Sequence, residues 1–210
     1  MILGAYEKDL KINEDGLRGI GLNPKRFRSI KPEIRVLGID DGVFLPRTEG
    51  TVDVVGVVYR GGYWLDGVMR TEVEIDGMDA TEKIASMIKS SPHYKQLRVV
   101  VLNGVTLAGF NVVDIQRLSK EVDLPVITVT KEKPNLAEIK TALENLPEYK
   151  KRWQAMENAG EIVEVYPRND EEAVYVQVAG ISKSDAEKIL KKTSTRSNVP
   201  EALRVAHILA

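Results

Sequence analysis

Ile34-Arg35-Val36-Leu37-Gly38-Ile39-Asp40-Asp41-Gly42 is an apolar run of strand length that stops on two acids and a glycine. Gly42 supplies the turn that ends it. Beyond it, Thr51 to Arg60 is rich in valine, Gly61-Gly62 reads as a hairpin turn, and Tyr63 to Glu74 runs back. Three consecutive antiparallel strands are therefore expected.

The period then changes. Asp79 with Glu82 resembles a capping box, and Ile84, Met87 and Ile88 give the apolar face of a helix over 80–89. Leu97 to Leu102 reads as a strand buried on both faces, Phe110, Val113, Leu118 and Val122 mark a second helix, and Pro125 to Thr130 is another buried strand. Pro134 and Pro147 each open a helix, the first through Asn145 and the second ending near Gly160. Glu161 to Tyr166 and Ala173 to Val178 form a hairpin across the Arg168-Asn169-Asp170-Glu171-Glu172 turn. A helix capped by Ser182 and another opening at Pro200 finish the chain. Three antiparallel strands, then helix, strand, helix, strand, is the order of an α/β protein with a ribonuclease H-like mixed sheet, here carrying a C-terminal hairpin and helices. Strand order is drawn by analogy with that fold class, since periodicity does not give it. Residues 1–33 form an N-terminal lead-in segment and 34–210 one domain.

Thirty basic against thirty-one acidic residues leave a formal charge of -1, so no whole-chain field gathers nucleic acid and any such contact must be local. Hydrophobic residues are 43% and charged residues 29% of the chain, values that exclude a disordered or membrane-spanning protein. The absence of cysteine excludes a disulfide framework and thiolate chemistry. The Met1-Ile-Leu-Gly start lacks the pattern of a signal peptide, and a cytoplasmic location is expected. Lys25 to Lys31 is a short basic run containing Phe27; it either touches phosphates or leads into the first strand, and the flanking Pro24 and Pro32 favour the second.

Residues 36–89 are locally anionic, with Asp40, Asp41, Asp53, Asp66, Glu72, Glu74, Asp76, Asp79 and Glu82 among their acids. Carboxylates converging from such a set make a site for a hard cation. In the expected sheet the ends of the first and fourth strands meet, bringing Asp40 or Asp41 opposite Asn103. Two-metal phosphodiester chemistry uses carboxylates that hold two Mg²⁺ ions about 4 Å apart. Asn103 offers a neutral carbonyl oxygen instead. Asp114, one turn after Asn111 and expected on the same helix face, is the carboxylate that would compensate. The plain alternatives are a strand-ending turn at Asp40-Asp41, a solvated Lys131, a structural His207, and core packing for Trp64 and Trp153, which would otherwise stack on bases.

Three blocks carry a resemblance: Gly38-Ile39-Asp40-Asp41-Gly42; Asn103 to Asp114 with its Gly109-Phe110-Asn111; and Asn198 to His207. Together they resemble an archaeal family, domain of unknown function 99, that is itself similar to endonuclease V. The resemblance spans residues 34–210. It implies a metal ligand at Asp40, matching the family's first-strand Gly-x-Asp, and asparagine at Asn103 where endonuclease V has an aspartate. Pro125 to Lys131 matches a strand that ends on an active-site lysine, so Lys131 takes that role, and His207 matches a terminal active-site histidine. The glutamate before the first helix has no exact match, with Glu74, Asp76 and Asp79 in its region. A Pro-Tyr-Ile-Pro wedge and a His-Pro-Arg segment are not matched, which implies an altered base pocket.

The expectation is a nuclease acting on phosphodiesters of DNA or RNA with Mg²⁺ or Mn²⁺. Asp40, Lys131 and His207 are its catalytic candidates, and Asp40, Asp41, Glu74, Asp76, Asn103 and Asp114 its metal candidates. The rival readings are a noncatalytic module that binds nucleic acid or a nucleotide through a degraded metal site, and a scaffold subunit for a protein partner.

Overall fold

The computed structural model describes residues 24–25, 27–46, 48–168 and 172–210. The first two strands, β1 (Arg35–Asp41) and β2 (Thr51–Arg60), pair antiparallel, and β3 (Trp64–Glu74) continues the meander to the sheet edge. Helix α1 (Ala80–Ser90) crosses over to β4 (Val99–Asn103), which lies parallel to β1 with Ile39 opposite Leu102. A two-stranded ribbon, β5 (Thr106–Leu107) and β6 (Asn111–Val112), precedes α2 (Ile115–Val122) and β7 (Val126–Thr130), the latter parallel to β4. Helices α3 (Leu136–Leu143) and α4 (Tyr149–Asn158) follow, then β8 (Val163–Val165), β9 (Val174–Ala179), α5 (Lys183–Thr193) and α6 (Glu201–Leu209). The resulting seven-stranded mixed sheet has the order β3-β2-β1-β4-β7-β9-β8. The C-terminal hairpin is thus part of the main sheet, because β9 pairs antiparallel with β7.

Alternation along the central strands divides the core. Leu37, Ile39, Val100 and Leu102 pack with Ile84, Ile88, Ile115 and Leu118 on one face, whereas Val36, Val99, Val101 and Ile127 pack with Ile189, Leu190, Ala202 and Leu203 on the other. Helices on both faces make a three-layer α/β domain and explain the unbroken apolar runs. Gly38 allows α6 to lie directly on β1, since a Cβ there would stand 2.2 Å from the backbone carbon of Ala202.

Several local expectations are corrected. The second helix starts at Ile115, not at Phe110, because Ala108 (φ 46°) and Gly109 (φ 85°) turn the chain into the ribbon first. Asn111 therefore sits in a strand, and it shares no helix face with Asp114. The expected capping box at Asp79 is replaced by a longer-range cap: Asn111 Oδ1 accepts the Ala80 N–H at 3.0 Å, while Asp79 Oδ1 accepts from Glu74 N and Asn111 Nδ2. Pro134 does not take the first helical position of α3, which starts at Leu136 after its cap Asn135, the acceptor for Ala137 N and Glu138 N, and the helix ends at Leu143, before Asn145. Trp64 does not pack in the core: it is 50% exposed, with Arg60 5.5 Å from its ring centre. Trp153 does pack against the core. Ser182 caps α5 as expected, accepting from Asp185 N at 3.1 Å. Among the described residues no helix is long and apolar enough to cross a membrane. Arg26 of the basic run and residues 169–171 of the charged turn lie outside the described residues.

Candidate active site at the carboxyl end of β1

The end of β1 carries Asp40 and Asp41 to the point where β4 ends at Asn103. Asp40 is 1% exposed, yet both its oxygens have partners. Oδ1 accepts from Asn103 Nδ2 at 3.0 Å and from the Asp41 N–H at 3.0 Å, and Oδ2 lies 2.8 Å from His207 Nδ1. An ionised carboxylate only accepts, so Nδ1 carries the hydrogen in that contact. The His207 side chain is 75% exposed, which leaves the rest of its ring to solvent. One buried carboxylate thus joins the first strand, the fourth strand and the last helix.

Asp41 Oδ2 accepts from the Ala108 N–H at 2.6 Å. Burial, reinforced by the charge of Asp40 beside it, holds the Asp41 carboxyl above the ordinary carboxylate value, against the opposing pull of the Ala108 hydrogen bond. Two acids crowded in this way favour a cation.

The other candidates fall into two groups. Lys131 directly follows β7, two residues beyond Val129, the register partner of Asn103; its side chain is exposed at the same end of the sheet. The remaining acids bond elsewhere. Asp76 Oδ1 accepts from Phe110 N at 2.8 Å, and Glu74 is exposed, its carbonyl accepting from Asn111 Nδ2. Asp114 is the N-cap of α2, accepting from Arg117 N and Asn158 Nδ2 at 3.0 Å each. Gly109 lets the loop close on Asp76, since a Cβ there would stand 2.4 Å from Asp76 Oδ1.

Arg152 escaped notice in the sequence. It is buried on α4, where its guanidinium donates to the carbonyls of Asp76, Gly77, Phe110 and Pro147. Burial pulls it below the usual guanidinium range while Asp76 pulls the other way. An arginine in a helix of mixed charged and apolar residues gives no signal of this clamp.

Among the described residues no three of His, Asp and Glu gather closely enough to hold a metal ion by themselves. Mg²⁺ is commonly held by one or two carboxylates with water and substrate phosphate filling the other positions. Asp40 and Asp41, crowded and mutually repelling, fit one such ion, with the Asn103 amide beside them. They do not form a two-ion carboxylate site. A half-open groove of about 380 Å³ lies elsewhere, between β3 and the end of α1, lined by Val68, Met87, Ser90 and His93 among others.

This seven-stranded mixed sheet with helices on both faces has the fold of endonuclease V. The solved endonuclease V of Bacillus subtilis superposes with a TM-score of 0.57 at 13% identity, over 89% of this chain and 82% of that one. The Ciona intestinalis endonuclease V in complex with a 24mer DNA containing an inosine followed by a ribo-adenosine gives 0.53 at 14% identity, over 82% of each chain. A protein of unknown function from Archaeoglobus fulgidus has a nearer structure, with a TM-score of 0.75 and 41% identity over 84% of this chain and 96% of that one. The UPF0215 protein of Methanothermobacter thermautotrophicus is 51% identical over 88% of this chain and 89% of its own length. The chain belongs to the endonuclease dU family, whose model matches residues 32–210.

Proposed function

We propose that the protein is a nuclease that hydrolyses a phosphodiester of nucleic acid at the Asp40–His207 pair with the help of Mg²⁺ or Mn²⁺. The observation that supports this most is the meeting of Asp40, Asn103 and His207 from three separate elements around one buried carboxylate. The family description, endonuclease dU, makes deoxyuridine-containing DNA the first substrate to try. A divalent ion held by Asp40 and Asp41 would supply Lewis acidity and neutralise phosphate charge. The residues of the chain do the rest. Asp40 holds the His207 ring by its Nδ1–H, so Nε2 keeps a lone pair facing solvent and is free to take a proton from water or, once protonated, to hydrogen-bond a phosphate oxygen. The Asn103 amide orients Asp40, and Lys131 offers a positive charge to the strand at the same sheet end. Glu74, Asp76 and Asp114 are further metal candidates that bond within turns and caps in this structure.

The test is cleavage of deoxyuridine-containing and unmodified DNA and RNA with added Mg²⁺ or Mn²⁺. Cleavage should need the ion and disappear in Asp40→Ala and in EDTA; cleavage that survives either would reject the reading. Asn103→Asp should tighten Mg²⁺ binding, because a charged oxygen replaces the amide N–H that Asn103 now turns toward Asp40.

A second reading has its own support: Asn103 is neutral and no three-donor cluster gathers among the described residues. The protein is then a binding module. Nucleic-acid affinity retained in Asp40→Ala, with no cleavage by the native protein in any metal, favours it.

A further inference from the structure

We propose that the start of β1, at the end of the sheet away from Asp40, is a second nucleic-acid contact, where bases of a single-stranded flank stack on Trp64 and Tyr63 among cations. The contact itself is independent of catalysis; its link to cleavage rests on the nuclease reading above.

Four segments meet there. The Arg98 N–H donates to the Arg35 carbonyl at 3.0 Å as β4 begins beside β1, and the Gly61 N–H of the β2–β3 turn donates to the Ile34 carbonyl at 2.8 Å. The loop between α5 and α6 closes on the same turn, with Thr195 Oγ1 donating to the Gly62 carbonyl at 2.9 Å. Lys192 Nζ donates to the Ile30 carbonyl. Asp66 ties Arg35 to Arg60, accepting from their Nε atoms at 3.0 and 3.2 Å. Residues 28–35, 60–66, 94–98 and 192–196 thereby share one pole of the molecule, where they hold eight basic side chains against two acidic ones. In a chain whose formal charge is -1, that excess is a concentrated local field.

The turn adds aromatic surface. Tyr63 is 66% and Trp64 50% exposed, their ring centres 5.5 Å apart and their planes tilted by 56°, with Arg60 5.5 Å from the Trp64 ring centre. A lipid headgroup or an acidic peptide would use the cations and leave the rings idle. Open aromatic faces set in a basic field fit the unpaired bases of a single strand, because every base has a face to stack and a phosphate beside it. Arg35 opens β1 and Asp41 closes it, about 20 Å apart at about 3.3 Å per residue. That distance is about six nucleotides at about 3.4 Å per stacked base, so a strand held at Asp40 reaches the pole once its flank is that long.

The test reads binding apart from cutting. Anisotropy of a labelled oligothymidylate of about 16 nucleotides is measured on the full chain in EDTA. The native protein and Asp40→Ala should bind it equally. Trp64→Ala should weaken binding roughly tenfold, the loss of one stacked base. Lys95→Ala/Arg196→Ala should make the slope of log affinity against log salt shallower by about 1.4, for two phosphate contacts removed. These side chains are exposed, and the thermal midpoint checks that each variant is folded. Absence of native binding, or binding that neither variant weakens, overturns the proposal whatever the protein cuts. Oligonucleotide binding untouched by Trp64→Ala, with phosphatidylserine vesicles bound equally well through Lys95 and Arg196, makes the pole a general polyanion surface and also overturns it. With Mg²⁺ and a single-stranded deoxyuridine substrate, native kcat/KM should rise as the flank passes about six nucleotides, and Trp64→Ala should flatten that rise. Cleavage without the length dependence overturns the link between the sites and leaves the nuclease reading standing. Binding that depends on Trp64 with no cleavage in any metal supports the contact and removes the nuclease reading.

Discussion

Two acid-rich corners of the molecule use the same residue types in opposite ways. Around Asp40, backbone N–H groups are only half of the partners: the carboxylate also joins an amide and an imidazole side chain, and a second acid crowds it. Around Asp76 and Asp79, side chains bond mainly to the backbone. Asn111 caps α1, Asp76 accepts from Phe110 N, and Arg152 collects four carbonyls. The second corner satisfies groups that would otherwise be buried without partners, which stabilises the fold. The first holds like charges together in a half-buried place, which destabilises it and is the pattern expected where chemistry is done.

The sharpest way to break this contrast is Arg152→Met, which leaves four carbonyls without their donor. It should lower unfolding free energy by about 3–5 kcal/mol in urea melts. A loss under about 1 kcal/mol would remove the corner's structural status. Asn111→Ala should come next, at about 2–3 kcal/mol, with faster hydrogen exchange at the start of α1.

Asp41→Asn should act in the opposite direction. A carboxyl whose folded pKa is raised contributes stability below its unfolded value of 3.8, and that contribution is lost as pH rises through the folded value. Ionised Asp41 therefore opposes folding at neutral pH. In EDTA the asparagine variant, which still offers an oxygen to Ala108 N, should melt higher than the native protein at pH 7. The advantage should shrink as pH is brought below 3.8. A variant that melts lower at pH 7 would show that Asp41 is stabilising and would collapse the contrast. The smallest effect is expected for Asp114→Ala, about 1 kcal/mol for a lost cap, with Mg²⁺ binding unaltered. Weakened Mg²⁺ binding would make Asp114 a ligand.

How much of this was legible in the sequence follows from the range of each interaction. The central strands announce themselves because burial on both faces demands unbroken apolar runs, and the meander because Gly61-Gly62 sits between two valine-rich or alternating segments. From those, Asp40 and Asn103 follow once parallel strand ends are brought side by side. His207 came from resemblance, since nothing in an apolar helix indicates what its histidine touches. The ribbon before α2 was hidden because Phe110 and Val113 keep a helical spacing even though Ala108 and Gly109 turn the chain. The cap position of α1 was legible at Asp79 but its hydrogen bond was not: the acceptor for the Ala80 N–H comes from Asn111, thirty-one residues from Ala80. Arg152 was illegible because its partners are backbone carbonyls, which any sequence would supply.

The contact between Gly38 and Ala202 has a kinetic side. Asp40 and His207 are 167 residues apart, and only the seating of the nine-residue α6 on β1 brings them together. A single short helix opens at a lower free energy than the core sheet it covers. Lifting α6 would withdraw His207 and leave Asp40 behind with the sheet intact, so the lifetime of the assembled pair is the residence time of one helix on β1 and β2.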